Sequence, residues 1–260
     1  MDCRILTYNI HGLPWSRRNE KAICRWIGSW RPPIVCLQEV FIPSVARFFS
    51  DELQRIGYTV VRPRDEGVAW LGSGLVFACV TSEYEVLSDC FQPYLSYHNV
   101  EQLANKGFHA IHLRHIASNT NLCVANTHTQ SSTEVSFLLG STSVERVRKQ
   151  QFAQVVEYLL AARVPGLLVG DLNCEQSSHP YLRFLHPVST LLKKHTFPRT
   201  GEDLDHVAWV PLQWSRPGCG FCDARGPHLL GCSVLRVPWS DHAPVAFTVR
   251  IPTEHFHTGE

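Results

Sequence analysis

Short apolar runs that end on a polar residue recur along this chain. Near the N-terminus, "RILTYNI" (4–10) alternates apolar and polar positions, the period-2 pattern of a half-buried strand. Ile23, Trp26, Ile27 and Trp30 fall at i, i+3, i+4 and i+7, the stripe of an amphipathic helix. Pro32 and Pro33 close that helix, because proline offers no backbone N–H and clashes with the preceding turn. "IVCLQEV" (34–40) predicts a mostly apolar strand with one acid near its end, and a second helix is expected from Pro43 to Gly57. "YTVVRP" and "GLVFACVTS" read as strands separated by a glycine-containing turn. "FHAIHLRHI" (108–116) and "NLCVANTH" (121–128), joined by Ser-Asn-Thr, predict a hairpin. Val144, Val147, Phe152, Val155, Val156, Leu159 and Leu160 mark a long helix that ends near Pro165, before a buried strand "LLVGD". "APVAFTVRI" (243–251) closes the apolar pattern. Strands that alternate with helices but include hairpins imply two sheets covered by helices, not one parallel sheet. With no internal repeat or long linker, one domain over 1–252 and a polar tail over 253–260 are expected.

Composition narrows the partners. Apolar residues make up 44% of the 260 positions, enough for a large core, while charged residues reach only 18%, below the roughly 25% usual in soluble domains. A formal net charge of +1 supplies no overall basic footprint for nucleic acid, although local patches stay open. No stretch approaches the roughly 20 apolar residues that span a bilayer, and "MDCRILTYNI" lacks the layout of a signal peptide. The ten cysteines are mostly scattered singly in apolar runs (Cys36, Cys79, Cys123), where Cys acts as a small hydrophobe. Reduced thiols in a cytosolic compartment are expected, and a monomer, with peripheral membrane contact left open.

Polar residues at the ends of the apolar runs carry the candidate chemistry. Asn9 sits near the end of the first, Glu39 and His128 end two others, and Asp171 and Asn173 follow "LLVG". Asp205 and His206 lie in "LDHVAWV", and Asp241 and His242 precede "APVAF". Taken singly, Asn9, Asp171 and Asn173 suit turns or caps, Glu39 a solvated strand end, and His128 a structural histidine. Taken together, carboxylates, amides and two histidines suit one hard divalent cation, since Mg²⁺ takes one or two carboxylates and keeps water and phosphate oxygens. Acids that converge in a partly buried pocket also need a cation. Cys219, Cys222, His228 and Cys232 have a spacing close to a zinc knuckle, against the simpler reading of a loop with free thiols. His109, His112 and His115 resemble a ligand set, but strand alternation turns His112 away from the other two. The loop "STEVSFLLGS" (132–141), with Phe137, and the segment around Trp214 offer apolar groups for insertion into lipid or for packing under a long loop.

"TYNIHG", "LQEV", "NTH", "GDLN", "LDHV" and "SDH", in this order, resemble the endonuclease/exonuclease/phosphatase superfamily from about residue 4 to 250. The resemblance implies an α/β fold: a four-layer α/β/β/α sandwich of two mainly antiparallel sheets flanked by helices. Within the superfamily, "IHGLPW", "GSGLVFACVTSEYEV" and "LANKGFHAIHL" are similar to neutral sphingomyelinases, although their Thr-His-Leu-His is Thr127-His128-Thr129-Gln130 here. By this resemblance Glu39 is the principal Mg²⁺ ligand (Mn²⁺ as substitute), with Asn9 and Asp241 in the metal shell. Asp171 and Asn173 orient water and hold a phosphate oxygen. His242 is the general base, positioned by Asp205, with Asp171 an open alternative for the water's proton. His128 is a hydrogen-bond donor or acid near the phosphate, and Lys106 is open between a phosphate contact and a solvated lysine. The implied activity is Mg²⁺-dependent hydrolysis of a phosphodiester, as in a sphingomyelinase acting on a phospholipid head group. A nuclease or DNA-repair phosphodiesterase, an inositol-polyphosphate phosphatase and an inactive binding module stay open.

Overall fold

The structure, a computed structural model, describes residues 1–13, 19–64, 72–97, 101, 104–132, 141–174, 195–210 and 228–251. In chain order its elements are β1 (Asp2–Asn9), α1 (Glu20–Trp30), β2 (Ile34–Gln38), α2 (Pro43–Arg55), β3 (Tyr58–Val61), β4 (Val76–Val80) and β5 (Tyr84–Pro93). They continue with β6 (Gly107–His115), β7 (Thr120–His128), α3 (Ser141–Ala161), β8 (Gly166–Asp171), β9 (Asp205–Val210), β10 (His228–Val234) and β11 (Val245–Arg250). One sheet of six strands runs β10-β11-β1-β2-β4-β3, and one of five runs β5-β6-β7-β8-β9. Each holds one parallel pair, β1 with β2 and β7 with β8, and all other neighbours are antiparallel.

Alternation along the strands sorts the side chains into three apolar layers. Cys3 and Ile5 of β1 and Cys36 of β2 meet Ile111, Leu113, Val124, Leu167 and Val169 between the sheets. The opposite parity, Leu6, Tyr8, Val35 and Leu37, packs under α1 and α2 through Ile23, Ile27, Val45, Phe49 and Leu53. On the far side Phe108, Ala110, Cys123 and Ala125 pack under Phe152, Val155 and Leu159 of α3. The result is the four-layer α/β/β/α sandwich that the resemblance implies. Each fully buried side chain of this kind contributes about 1.5–3 kcal/mol of transfer energy.

Helix ends follow local chemistry. α1 stops at Trp30, where Arg31 turns left-handed (φ 48°) and its N–H bonds Ile27 O at 2.7 Å before Pro32. α2 begins on Pro43 and ends at Arg55, two residues before the expected Gly57, whose φ of 91° admits the turn into β3. Two strands had no clear sequence signal. β5 is a half-exposed edge strand, so no apolar face marks it. β10 is the edge of the other sheet and carries a register shift between Leu229 and Gly231.

The zinc expectation gains no support among the described residues. Cys219 and Cys222, and the side chain of His228, lie outside the described residues. Cys232 sits in β10 in the core between the sheets, where burial pushes its thiol up to about 12. All eight described cysteines are free. His109 is buried and meets Asp89 at 2.8 Å, while His112 faces the Tyr158 ring of α3, so the alternation argument holds and no ligand set forms. Among the described residues no helix is long and apolar enough to cross a membrane. Phe137, Trp214 and the 253–260 tail lie outside the described residues.

Candidate active site

The inward parity of the strands is apolar along most of their length and turns polar at one end of the sandwich. Thr7 and Asn9 continue the inward row of Cys3 and Ile5, Asn126 and His128 that of Val124, and Asp171 that of Leu167 and Val169. Asp205 opens β9 directly opposite Asp171 in the register. Asn9, Asp171, Asp205, His128 and His242 are all buried.

Asn9 links the two sheets. Its Nδ2 donates to Glu39 Oε1 at 3.0 Å and to Asp171 Oδ2 at 2.9 Å, and its Oδ1 accepts the His11 N–H at 3.0 Å. Two carboxylates are thereby held side by side on one amide. Glu39 leaves β2 in a left-handed conformation (φ 58°), and a Cβ at Gly12 would lie 2.4 Å from its carbonyl oxygen, so the close turn over Glu39 requires glycine there. At the end of β8, Gly170 (φ 145°) passes Thr127 O so closely that a Cβ would lie 1.9 Å from it. Asp171 Oδ1 accepts the Asn173 N–H at 2.9 Å, and Asn173 Nδ2 donates to Thr129 O at 3.0 Å. Asp171 and Asn173 thus form the turn that their sequence allows, and Asp171 faces the site from it.

His242 completes the other side. Its Nδ1 lies 2.8 Å from Asp205 Oδ2 and its Nε2 lies 3.6 Å from Asp171 Oδ2. Ser240 Oγ donates to Asn9 O at 2.7 Å and accepts the His242 N–H at 3.1 Å, which ties this loop to β1. Burial opposes a charge on His242, but Asp205 and Asp171 outweigh it and push its pKa up to about 10. Asp171 is also penalised by burial, yet His242, His128, Asn9 and Asn173 hold its carboxyl below the ordinary range. In this arrangement His242 carries the proton near neutral pH and Asp171 the negative charge, an imidazolium held between two carboxylates.

His128 Nε2 lies 3.7 Å from Asp171 Oδ2, 3.8 Å from Glu39 Oε1 and 3.4 Å from Lys106 Nζ. Burial and the Lys106 ammonium lower its pKa, so His128 is neutral near pH 7 and serves as a hydrogen-bonding group more than as a proton store. Lys106 is itself buried, donating to Thr129 O at 3.1 Å and pairing with Glu101 at 3.0 Å. Asp241 stands at the rim, where His11 Nδ1 reaches its Oδ1 at 3.2 Å and Glu39 Oε2 at 3.8 Å. The structure therefore brings Asn9, Glu39, His128, Asp171, Asp205, Asp241, His242 and Lys106 together at one place, with Asn173 holding the turn beside them. His206 points the other way, to Cys174 O at 2.9 Å.

Five contributors escaped the sequence reading. His11 and Ser240 sit inside the quoted motifs "TYNIHG" and "SDH", so their neighbours were the available signal. Glu101, Thr196 and Phe197 lie in segments without strand patterning. Thr196 Oγ1 accepts the Leu204 and Asp205 N–H groups at 2.8 and 3.1 Å, and the Phe197 ring stands 4.8 Å from the His242 ring.

The donor set fits a hard divalent cation. Glu39 Oε2 is buried without a hydrogen-bond partner, beside Asp171 and Asp241, and an orphaned carboxylate oxygen of this kind asks for a cation. Asp171, Asp205 and His242 also bring one donor atom each within 4.8 Å of one another. That second group already satisfies much of its charge internally through the His242–Asp205 contact, so Glu39 is the stronger anchor. A cavity of about 550 Å³ opens beside His242 and Asp241, with Pro198, Val234, Val237 and Pro238 on its walls and the basic groups of His195 and Arg236 among them.

Comparison with known proteins places this site in a family. The model of the Endonuclease/Exonuclease/phosphatase family matches residues 6–242. No curated protein sequence matches the chain. Sphingomyelinase C from Streptomyces griseocarneus superposes with a TM-score of 0.67 at 18% identity, over 95% of this chain and 99% of that one. A beta toxin from Staphylococcus aureus, solved with bound magnesium ions, gives 0.68 at 14% identity over 97% and 100% of the two chains. TDP2 of D. rerio, complexed with a single-strand DNA product, gives 0.69 at 13% identity over 96% and 99%. These likenesses carry the fold, and the family match adds the rest: the chain belongs to the endonuclease/exonuclease/phosphatase family, whose members typically hydrolyse phosphoester bonds.

Proposed function

We propose that this protein is a Mg²⁺-dependent phosphodiesterase, of the sphingomyelinase kind, that cleaves a phospholipid head group by in-line attack of water on phosphorus. The observation that carries the reading is the buried Glu39–Asn9–Asp171 bridge beside the His242–Asp205 pair, with a free carboxylate oxygen on Glu39. Glu39 would hold the cation, with Asp241 and the Asn9 amide beside it. When bound, such an ion supplies charge neutralisation to the phosphate oxygens and to the developing leaving group.

The remaining roles fall to this chain's own groups. Asp205 fixes the His242 tautomer through Nδ1, which turns Nε2 toward Asp171 and the place where water attacks. Asp205 and Asp171 hold a proton on His242 in the absence of a cation. With their charge offset by a bound one, His242 would be the neutral base that takes the water's proton at Nε2, while Asp171 stays committed to Asn9 and Asn173. Asp171 orients the water. His128 offers a hydrogen-bonding group for a phosphate oxygen, and the buried Lys106, engaged with Glu101, Thr129 O and His128 Nε2, holds that imidazole in place. The mostly apolar cavity beside His242 suits the lipid part of a phospholipid ester.

A nucleic-acid phosphodiester is the second reading, favoured by Arg236 and His195 on the same cavity wall. One substrate panel decides between them: sphingomyelin, lysophospholipids, plasmid DNA and inositol phosphates, each with Mg²⁺ and with EDTA. Phosphocholine release that needs Mg²⁺ and falls about 10²- to 10⁴-fold in His242→Ala supports the first reading. Undiminished turnover in EDTA or in His242→Ala sinks the mechanism, and plasmid nicking alone transfers it to the second substrate.

A further inference from the structure

The two halves of the site stand on different sheets. Asn9 and the strand end bearing Glu39 belong to the six-stranded sheet, and His128, Asp171 and Asp205 to the five-stranded one. The apolar core between them is a poor ruler, because hydrophobic contact is non-directional. One layer below the site, toward that core, lies a set of fully buried polar side chains: Thr7, Gln38 and Asn126. Strand periodicity explains the layer. Thr7 precedes Asn9 by two residues on β1, and Asn126 precedes His128 by two on β7, so each points as the site residue above it does.

These side chains close the gap between the sheets with directional bonds. Gln38 Nε2 donates to Asn126 Oδ1 at 2.8 Å across the gap. Gln38 and Thr7 exchange contacts at 3.1 and 3.3 Å within the first sheet. Asn126 Nδ2 donates to Leu37 O at 3.1 Å and to Val76 O at 3.2 Å. Leu37 and Val76 are the last paired residues of β2 and β4, so the Asn126 amide caps their ladder two residues before Glu39. Neutral amides suit this place. Fully hydrogen bonded, they rigidify a buried layer without adding charge beneath the carboxylates.

We propose that Gln38 and Asn126 are positioning residues: their inter-sheet bridge sets the separation of Glu39 from His128 and Asp171, and with it the geometry in which cation and phosphate are held. The proposal rests on the phosphodiesterase reading of the site. Neither residue touches substrate. They act through the strand ends above them, as groups behind metal ligands commonly do, where loss costs about 10- to 100-fold in metal affinity or activity.

Gln38→Met tests the side-chain bond of the bridge, and Asn126→Leu tests the whole of it, because the two bonds from Asn126 to Leu37 O and Val76 O also cross between the sheets and survive in Gln38→Met. Thr7→Val is the control, since it disturbs the same layer and spares the Gln38–Asn126 bond. Should Gln38→Met not fold, Gln38→Asn shortens the side chain and withdraws the amide from Asn126 while keeping it polar. Three readouts are taken together: Mg²⁺ affinity by calorimetry, kcat and KM, and hydrogen exchange of the Asn9 side-chain amide by NMR without cation. Gln38→Met and Asn126→Leu are expected to weaken Mg²⁺ binding and to lower kcat about 10- to 100-fold with KM little changed. Both should also speed Asn9 amide exchange about tenfold or more, with Thr7→Val near wild type in all three. A folded Gln38→Met or Asn126→Leu with wild-type cation affinity, kcat and Asn9 exchange overturns the proposal. So does Thr7→Val with losses equal to those of Gln38→Met, which would make the layer a matter of stability alone. If the wild-type protein neither binds Mg²⁺ nor cleaves phosphoesters, the phosphodiesterase reading fails, and Asn9 exchange still decides whether the bridge sets the site.

Discussion

Asp205 works on His242 through a single contact of 2.8 Å, and the consequence is specific. Replacing it with Asn keeps the shape and removes the charge that favours a proton on the imidazole, so Asp205→Asn is expected to lower kcat with little change in KM. The loss should be smaller than that of His242→Ala, as the orienting carboxylate of such a pair usually costs less than the base itself. Steady-state kinetics on one hydrolysed substrate checks the order, and an Asp205→Asn enzyme with full kcat would remove the pair from the mechanism. Gly170 makes a purely steric prediction. A methyl group there meets Thr127 O at 1.9 Å in a φ region that alanine avoids, so Gly170→Ala should destabilise by about 3 kcal/mol or more. Urea unfolding measures that loss, and activity should fall with it because the next residue is Asp171.

At the scale of elements, the entry to β6 carries a buried ion pair that no strand pattern announces. Glu101 pairs with Lys106 and bonds the backbone and hydroxyl of Ser131. Burial opposes its charge, but Lys106 and His128, with the Ser131 bonds, hold its carboxyl below the ordinary 4.5. A depressed folded-state pKa contributes stability that is present above the unfolded value and is lost as pH falls through the folded one. Glu101→Gln should therefore destabilise at pH 7, by about 3–5 kcal/mol if Lys106 stays buried and unpaired. Its deficit against wild type should shrink as pH falls below the ordinary 4.5 and through the lower folded-state value, where the wild-type carboxyl also takes a proton. Urea unfolding at pH 7 and pH 3.5 makes the comparison, and a deficit independent of pH would contradict the charge argument. Legibility in the sequence also varied by element. α1 was legible because a helix buried on one face must repeat its apolar residues at 3.6-residue spacing. β5 was not, because that edge strand is half-exposed, and β10 was not, because the register shift between Leu229 and Gly231 breaks the alternation that would set Leu229 in line with the buried Cys232 and Val234.

For the whole molecule, the prediction concerns the cation. Anything that binds the folded chain and not the unfolded one stabilises it by mass action, by about 2.7 kcal/mol at a hundredfold excess over Kd. For a chain of this size that is a rise in Tm of about 5 °C. Mg²⁺ should raise Tm accordingly, EDTA should reverse it, and Glu39→Gln should abolish the shift. A Mg²⁺ response that survives Glu39→Gln would move the ion to another set of residues, with Asp171, Asp205 and His242 the first to test.

Period-2 and period-3.6 patterns determined most of the strands, the three helices among the described residues and an arrangement of two sheets covered by helices, because burying one face imposes those periods on any chain. The four-layer order came from the family resemblance of the motifs. The order of the polar strand ends also named most of the site residues, since an acid or amide that ends an inward-facing apolar row has only the mouth of the core to occupy. Tertiary structure alone decided the distances. Asn9 and Asp171 are 162 positions apart in sequence and 2.9 Å apart in space. Nor does spacing along the chain disclose that Gln38 meets Asn126, or that Glu101 neutralises Lys106. The hydrophobic effect brings two sheets together without saying which residues shall meet across them. Hydrogen bonds and ion pairs make that choice, and they exist only once both partners are in place.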